Sequence, residues 1–339
     1  MTETKNARRR RGGAAVRITD VARSAGVAPM TVSRVLNDPE RVAPETARKV
    51  RAAIKSLGYV PNLLAGGLSS RRSRMVAAVV PTIASPIFSG PIQGFTDTLA
   101  QAGYHVMLSL TGYRANAEAA MLPAVLARRP DALLLIGARR GQAERRLLAA
   151  AAIPVVEIWD VGPALDSLVG FDHEEVGREV ARFFLAAGHT RFATLAASDP
   201  RAEARGSGFL REVAAGGGQI IETRRLPAPS SITEGRAALR EIAPQLAGRT
   251  AIFCSSDLVA LGALTEARAL GIPVPEALAI CGFGDFDAGR AAEPAITTVS
   301  VDGNAIGRLA AELLLARMAG ASAGPGVRVP FRILPRGST

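Results

Sequence analysis

Residues 29–36 bring together side chains that can recognise nucleic acid. The guanidinium of Arg34 can donate two hydrogen bonds to the edge of a guanine, and the hydroxyls of Thr31 and Ser33 can hold phosphates. A helix over this segment turns three apolar residues inward: Val32, Val35 and Leu36. It turns four residues outward: Pro29, Met30, Ser33 and Arg34. An ordinary helical hairpin with an exposed arginine fits the same spacing.

Residue types used in metal and covalent chemistry are scarce in this chain. It has three His and two Cys, and Cys254 and Cys281 lie within apolar runs typical of buried strands. The histidines are isolated from one another: His105, His173 and His189. The first predicted strand is followed by Pro81 and Thr82, not by the G-x-G-x-x-G of a dinucleotide site. The sequence therefore predicts no metal, no cofactor and no catalytic residue.

Three short helices are predicted around this segment, over residues 20–25, 29–36 and 44–57. Thr19 is the expected N-cap of the first helix and Gly26 its end, while Pro29 and Pro44 open the second and third helices. The short turn at residues 26–28 gives the first two helices the spacing of a helix-turn-helix, whose second helix lies in the major groove of DNA.

Basic charge is concentrated in the first 74 residues. They contain 16 Lys or Arg and 5 Asp or Glu, whereas the whole chain contains 41 and 30, so the net charge of +11 lies entirely in this segment. Such a segment is typical of a surface that binds a polyanion. Residues 1–16 show no period and are expected to form a disordered basic tail.

Beyond residue 75, short β-branched runs alternate with longer amphipathic helices, a pattern that predicts parallel sheets covered by helices. Ten strands are predicted: 76–80, 104–110, 132–136, 155–158, 168–170, 192–196, 220–225, 251–254, 279–282 and 297–301. The predicted fold is an all-α helix-turn-helix head and an α/β core of two doubly wound lobes, as in periplasmic binding proteins. Ligands of such sheets bind at the carboxyl ends of the strands, so a cleft between the lobes is expected.

The expected domain boundaries follow from these elements. The helix-turn-helix domain covers residues 17–58, a linker covers 59–74 and the two-lobed core covers 75–339. Lobe one is predicted over residues 75–170 and 302–328, and lobe two over 171–298 and 329–339. At 48% hydrophobic but 4% aromatic residues, the core must be packed mainly with aliphatic side chains.

Several motifs resemble the lac-repressor family. The head carries Asp20-Val21-Ala22, Ala25-Gly26-Val27, TVSRVLN at residues 31–37 and LGYVPN at 57–62. The core carries Ser256-Asp257, Gly282-Phe283 and PAITTV at 294–299, so the resemblance covers nearly the whole chain. Within the family, the gluconate-utilisation repressors are similar around Tyr113 and at residues 154–157 and 279–283.

The resemblance implies roles for residues of the head. The base-reading positions are occupied by Pro29, Met30 and Arg34, and the phosphate-contacting positions by Thr31, Ser33 and Asn37. The segment from Tyr59 to Ser69 corresponds to a hinge helix, in which Leu68 would wedge between bases in the minor groove; a core leucine is the alternative. The predicted DNA-binding set is completed by Thr19, Tyr59 and Asn62. The sequence departs from the family pattern at two positions, because Ala28 and Ala43 stand where a capping serine is usual. The second and third predicted helices therefore each lack a side-chain acceptor at their start.

The family resemblance also implies that the linker is a hinge and that the core binds an effector in a pocket. Arg205 matches the family's effector-gripping arginine and suits a carboxylate, although a surface arginine like its neighbours Arg201 and Arg211 is the alternative. Glu157 and Trp159 end a strand as a sugar-binding wall would, with Trp159 stacking on a sugar or filling the core. The remaining candidates are Asp257, Asp285 (with Asp287 as its alternative), Phe88 and Tyr113.

These features together predict a cytoplasmic, nucleoid-associated transcriptional repressor. It would bind a roughly palindromic operator as a homodimer and respond to a sugar or sugar acid, as either an inducer or a co-repressor. An exported sugar-binding transport protein with the same core is the alternative, and the basic head argues against it. We find no apolar run long enough to span a membrane.

Overall fold

The structure is a computed structural model that describes residues 16–60, 73–114, 116–138, 140–246, 248–322, 324 and 326–339. Its contacts divide the chain into two units, Met1–Ser73 and Arg74–Thr339. Residues 1–15 of the predicted basic tail (1–16) and residues 61–72 of the predicted hinge (59–74) lie outside the described residues.

The first unit is a three-helix head built around a small aliphatic core. Its helices are α1 (Ile18–Ala25), α2 (Pro29–Asn37) and α3 (Pro44–Leu57), with a 3-10 turn at Pro39–Arg41. The buried residues come from all three helices: Val21, Ala22, Val32, Val35, Ala47, Val50 and Ala53. Gly26 and Gly58 end α1 and α3 with φ of 66° and 62°, a left-handed conformation that glycine adopts without strain.

Two details of the head differ from the sequence predictions. Helix α1 begins at Ile18, because Arg17 is the N-cap residue and its amide donates to the carboxylate of Asp20 at 2.9 Å. Thr19 lies inside the helix, so its predicted capping role is wrong. Leu36 is 36% exposed rather than inward-facing, because Val32 and Val35 already fill the narrow stripe of α2 that meets the core.

The second unit contains two α/β lobes, and lobe one is built on a parallel sheet. Its strands are β1 (Met75–Val80), β2 (His105–Leu110), β3 (Ala132–Ile136), β4 (Val155–Ile158), β5 (Ser167–Gly170) and β11 (Val327–Arg328), in the order β11-β5-β4-β3-β1-β2. Its helices are α4 (Ser89–Gln101), α5 (Ala117–Leu126), α6 (Gln142–Ala151) and α12 (Gly303–Met318), and a 3-10 turn covers Pro86–Phe88.

Lobe two has the same construction with one antiparallel edge. Its strands are β6 (Arg191–Ala197), β7 (Gln219–Leu226), β8 (Thr250–Cys254), β9 (Leu278–Phe283), β10 (Thr297–Val301) and β12 (Phe331–Leu334), in the order β12-β10-β9-β8-β6-β7. Its helices are α7 (His173–Ala186), α8 (Pro200–Ala215), α9 (Ile232–Ile242), α10 (Asp257–Ala269) and α11 (Asp287–Arg290), with a 3-10 turn at Ala243–Gln245. Strand β12 runs antiparallel to β10.

All ten predicted strands are present, and among the described residues two further strands, β11 and β12, were not predicted from the sequence. The central strands β3 and β8 are buried along their whole length, which is why they read as continuous apolar runs. By contrast, β11 and β12 are short edge strands with partly exposed residues and no such pattern. They carry the chain from the sheet of lobe one to the sheet of lobe two.

Helices α7 and α8 of lobe two pack with their backbones in close contact. A Cβ atom on Gly177 of α7 would overlap the carbonyl oxygen of Arg205, and one on Gly208 of α8 would overlap that of Glu174. Because both neighbours are backbone atoms, no side-chain movement can make room. The two glycines therefore fix α8, and with it Arg205, against α7.

Candidate functional sites: helical head and interlobe cavity

Helix α2 of the head turns its predicted contact residues to solvent. Met30 is 68% exposed, and Pro29 and Arg34 are exposed as well. On the opposite side of α2, Val32 and Val35 are buried in the core of the head. The N-terminal end of the helix therefore presents a guanidinium and a flexible apolar side chain on one accessible face, as a recognition helix requires.

The starts of α2 and α3 have the local chemistry that the sequence predicted. Ala28 and Ala43 are the N-cap residues, and neither side chain offers an acceptor to the first-turn amides. Proline follows in both cases and supplies the helical φ without an amide of its own. In the first turn of α2 the amide of Thr31 donates to the carbonyl of Ala28 at 2.9 Å. The positive end of the helix dipole at this terminus favours contact with a phosphate.

The other predicted DNA-contacting residues have different environments. Asn37 donates from Nδ2 to Ser33 Oγ at 3.3 Å, so these two polar side chains form one exposed group with the half-buried Thr31 nearby. Thr19 is exposed on α1, and Tyr59 packs against the core of the head. Asn62 and Leu68 lie outside the described residues.

A cavity lies between the two lobes, and every segment that lines it follows the carboxyl end of a strand. Lobe one contributes mainly aromatic rings: Phe88, Tyr113 and Trp159, with Ser85 and Ile87. Lobe two contributes mainly charged and small residues: Ala197, Asp199, Arg201, Arg205, Ala228, Pro229, Ser230, Ser255, Ser256 and Phe283. This is the position at which open parallel sheets bind their ligands.

Arg205 is buried in this cavity without a carboxylate partner among the described residues. Its Nη2 donates to the carbonyl of Ser255 at 3.0 Å, and its guanidinium lies 4.0 Å from the centre of the Phe283 ring. Its Nε has no hydrogen-bond partner in the described part of the chain. Burial lowers the pKa of Arg205 to about 10, with Asp199 opposing this effect. The guanidinium remains charged at neutral pH and has unused donors.

His173 fixes the orientation of Arg205. Its Nδ1 lies 3.0 Å from Arg205 Nη1, and its Nε2 lies 3.0 Å from the carbonyl oxygen of Trp159. Because an arginine can only donate, Nδ1 must accept and Nε2 must carry the proton. The imidazole is therefore neutral in this arrangement and links Trp159 of lobe one to Arg205 of lobe two.

Arg201 also lines the cavity, contrary to its sequence-based interpretation as a surface arginine. Its side chain is 14% exposed, and its guanidinium lies 5.6 Å from the ring centre of Phe88 and 6.0 Å from that of Tyr113. Arg211 is the surface arginine of this pair, with 62% exposure and an ion pair to Glu174. The difference arises because Arg201 is one helical turn from Arg205 on the same face of α8.

Three residues of the cleft have a left-handed backbone. Tyr113, Trp159 and Asp285 have φ of 56°, 68° and 54°, values that cost non-glycine residues free energy. Trp159 is 3% exposed and its ring makes edge contacts with Phe88 and Phe171. It therefore both fills the core and forms part of the cavity wall.

Asp257 supports the cavity from behind rather than lining it. Its carboxylate accepts from Thr298 Oγ1 at 2.6 Å and from the amide of Phe286 at 2.6 Å. Burial raises the pKa of Asp257 to about 6, although both hydrogen bonds act to lower it. Its position holds the loop after β9 against the start of α10.

Asp285 and Asp287 line a neighbouring part of the cleft that also contacts Trp159 and Phe283. Asp285 accepts from Arg290 Nε at 3.0 Å and from Ser300 Oγ at 3.2 Å, and it pairs with Arg336. Burial opposes its ionisation, but the hydrogen bonds from Arg290 and Arg336 outweigh this and lower its pKa. Its carboxylate is thus engaged within lobe two.

Glu157 does not line the cavity. Its carboxylate is fully buried, pairs with Arg140 and accepts from the amide of Leu165 at 2.8 Å. Burial raises its pKa, with Leu165 and Arg140 opposing the rise. Of the seven residues predicted for the effector pocket, the structure brings four together in the interlobe cavity: Phe88, Tyr113, Trp159 and Arg205.

Sequence reasoning missed several residues of the cavity, among them Arg201, Asp199 and Ser255. It also missed His173, which contacts Arg205 without lining the cavity. The local sequence contained one signal that could have identified Arg201. Asp199 followed by Pro200 predicts the start of a helix, and within that helix Arg201 and Arg205, four residues apart, share one face. Asp199 does cap α8, accepting from the amides of Arg201 and Ala202 at 3.1 and 3.2 Å.

Within the described ranges, no His, Cys, Asp and Glu side chains cluster closely enough to hold a metal ion. In the same residues, each helix is too short or too polar to cross a membrane.

Comparison with known proteins places both units of the chain. The model for bacterial regulatory proteins of the lacI family matches residues 17–62, and that for the periplasmic binding protein-like domain matches residues 181–339. The HTH-type transcriptional regulator GntR of Pseudomonas aeruginosa is 36% identical over 350 residues, covering 100% of both chains. The HTH-type transcriptional repressor CytR of Escherichia coli is 30% identical and covers 96% of each chain.

Solved structures agree in fold. A LacI family regulator from Silicibacter pomeroyi has a TM-score of 0.89 at 30% identity, covering 95% of this chain and 99% of that one. The lac repressor dimer bound to operator and the anti-inducer ONPF has a TM-score of 0.83 at 25% identity, covering 96% and 99%. The complex of the regulator CelR with cellobiose has a TM-score of 0.69 at 29% identity, covering 96% and 100%. The predicted fold class is confirmed.

Proposed function

Because the chain belongs to the lacI family of bacterial regulatory proteins, we propose that it is a repressor of a carbohydrate-utilisation operon. It binds a roughly palindromic operator as a homodimer, and a sugar acid of the gluconate type controls this binding from the interlobe cavity. The observation that carries the effector proposal is the buried charge of Arg205, which has unused donors and no carboxylate partner in the described residues.

Operator recognition is assigned to the exposed face of α2. The exposed Arg34 is assigned to a guanine, which it would read through two hydrogen bonds, and the exposed Pro29 and Met30 are assigned to neighbouring bases. The hydroxyls of Thr31 and Ser33 are assigned to phosphates, and so is Asn37. Leu68 is retained as the minor-groove wedge on the family resemblance alone, since it lies outside the described residues.

Effector recognition combines both walls of the cavity. A carboxylate would complete the hydrogen bonding of Arg205, and such charge-assisted bonds are the strong ones in a buried site. Trp159 and Phe88 supply apolar surface against the C–H groups of a sugar chain. The similar regulator CelR forms a complex with cellobiose. In this chain, a neutral disaccharide of that kind would leave the charge of Arg205 uncompensated.

Control of DNA binding requires that the effector bind one state of the core better than the other. The cavity is formed by both lobes, so a ligand that joins its two walls stabilises one relative position of the lobes. Its effect on operator affinity is limited to the difference between its affinities for the two states. The role proposed for the ligand is binding, with no chemical change to it.

The proposal is tested with the full chain and a duplex selected by it from a random pool. Fluorescence anisotropy gives the affinity for this duplex, which we expect to change when D-gluconate is added. Arg34→Ala should weaken duplex binding about tenfold to hundredfold, the usual value of one bidentate base contact. Arg211→Met, on the surface of lobe two, is the matched control.

Three results would contradict parts of the proposal. If no duplex is selected, the repressor function is wrong. If the Arg34 variant binds as tightly as the Arg211 control, α2 does not read the operator through Arg34. If neither D-gluconate nor its phosphorylated relatives bind the protein or alter its affinity for the duplex, the effector class is wrong. An increase and a decrease of duplex affinity are both compatible with a regulator.

A further inference from the structure

Arg201 is held at the contact between the lobes by aromatic rings. It belongs to α8 of lobe two, and the rings of Phe88 and Tyr113 that flank its guanidinium belong to lobe one. A guanidinium over aromatic faces keeps its hydrogen-bond donors free at its edge. The side chain of Tyr113 also acts as a hydrogen-bond partner of Arg201, so the donors of the guanidinium edge that Tyr113 does not use are available for a ligand.

The nearest carboxylate does not neutralise Arg201 fully. Asp199 Oδ1 lies 3.6 Å from Arg201 Nε, outside ordinary hydrogen-bond distance. The same oxygen already accepts from the amides of Arg201 and Ala202 at the start of α8. Asp199 thus acts first as a helix cap, and its attraction for Arg201 is shared with the helix dipole.

The charges that line the cavity leave a surplus of one positive charge. Among the described lining residues, Arg201 and Arg205 are cationic and Asp199 is anionic. His173 beside them must accept from Arg205, so it adds no charge. A ligand with one negative charge balances this set, whereas a neutral sugar leaves a buried cation unpaired and a dianion leaves a negative charge in excess.

We propose that Arg201 is a specificity-determining residue that binds the effector's carboxylate together with Arg205 and selects monoanionic sugar acids over neutral sugars. This inference rests on the proposed function of the interlobe cavity. The two arginines are four residues apart on α8, a spacing that brings side chains together on one helix face. A carboxylate has two oxygens and can accept from both guanidinium groups at once.

The experiment is calorimetric titration of the full chain with D-gluconate and with D-glucose, which has the same carbon skeleton without the carboxylate. Arg201→Met keeps much of the side-chain volume and removes the charge, and Arg201→Lys keeps the charge and removes the planar fork. Arg211→Met is the matched control on the same helix. Thermal unfolding of each variant identifies any that does not fold, and the Lys variant carries the test if the Met variant fails.

We expect Arg201→Met to weaken D-gluconate binding about tenfold to hundredfold, the usual value of a charge-assisted hydrogen bond in a buried site. Arg201→Lys should recover part of this loss. The ratio of D-gluconate to D-glucose affinity should fall most in Arg201→Met, because the charges of Arg205 and Asp199 then balance and a neutral sugar leaves no cation unpaired. The D-gluconate affinity of the control should equal that of the unmodified chain.

Failure of the inference can be distinguished from failure of the proposed function. If the unmodified chain binds D-gluconate and Arg201→Met binds it as tightly as the Arg211 control, the role of Arg201 is wrong and the sugar-acid proposal stands. If the unmodified chain binds D-glucose more tightly than D-gluconate, the sugar-acid proposal itself is wrong, and the role of Arg201 is wrong with it.

Discussion

The two walls of the interlobe cavity differ in chemistry. Lobe one presents aromatic rings, those of Phe88, Tyr113 and Trp159, whereas lobe two presents the ionic groups Asp199, Arg201 and Arg205. Apolar contact is tolerant of ligand identity, while buried charge is selective because an unpaired ion in a low-dielectric site is costly. From this difference we expect that lobe two determines which ligand binds and that lobe one contributes mainly to the affinity.

The charged wall, formed by Asp199, Arg201 and Arg205, depends on the close packing of α7 and α8. A substitution that breaks this packing should have the largest effect on core stability and effector binding. Gly208→Ala would place a Cβ against the backbone of Glu174, and we expect a loss of about 3 kcal/mol in the free energy of unfolding of the core. Effector binding should be lost with it, since α8 carries both arginines. Denaturant unfolding with a tryptophan signal measures this, because Trp159 is in the core.

The matched control for this change is Gly206→Ala. It lies on the same helix, and a Cβ there meets no atom within 4 Å. Alanine is preferred to glycine in a helix interior by up to about 1 kcal/mol, so this variant should be unchanged or slightly more stable. Equal destabilisation by both substitutions would mean that the contact with α7 is not the cause.

Asp257, behind the charged wall, should make the stability of the core depend on pH. Its folded pKa of about 6 lies above the ordinary value of 3.8, so between these values the folded state holds a proton that the unfolded state releases. Stability contributed by the protonated form is complete below about pH 4 and is lost as the pH rises through 6. The difference between the folded pKa and the ordinary pKa of Asp257 corresponds to at most about 3 kcal/mol in the free energy of unfolding.

Asp257→Asn should remove this contribution, because the amide does not ionise. We expect its unfolding free energy to fall less than that of the unmodified chain between pH 4 and pH 7, as measured by denaturant titration at each pH. Asp287→Asn, at an exposed position of α11, is the control. Parallel pH profiles for all three proteins would show that Asp257 is not responsible.

The smallest effect is expected from the aromatic wall. Trp159→Leu should weaken binding of D-gluconate about threefold to tenfold, the value of about one aromatic contact. The ratio of D-gluconate to D-glucose affinity should stay the same, since no charge is altered. Phe95→Leu, buried in α4 of the same lobe, controls for general loosening of the core. A changed ratio in the Trp159 variant would contradict the division of roles between the walls.

The sequence predicted the elements well because each depends on local chemistry. Helices α2 and α3 begin at prolines and α3 ends at a glycine, and the buried strands are continuous aliphatic runs. The motif around Arg205 predicts an effector-binding role, and the structure shows that this residue lines the interlobe cavity. Each of these features is determined by residues that are close together in the sequence, so it can be predicted without knowing the fold.

The directions of side chains at strand ends could not be predicted in the same way. Period-two alternation places Glu157 and Trp159 on one face of a strand. The left-handed backbone at Trp159 interrupts that alternation, and Glu157 pairs with Arg140 instead of lining the cavity. Arg201 was missed for a related reason, because its burial depends on Phe88 and Tyr113, which lie far away in the sequence.

The edge strands β11 and β12 have a consequence for how the protein is made. Each sheet receives its final strand from residues 327–334, so ten of the twelve strands leave the ribosome before either sheet can be completed. Until then β5 and β10 each have an open hydrogen-bonding edge. Synthesis that stops after α12 would therefore damage both lobes at once, and neither lobe can be produced by cutting its gene at a single point.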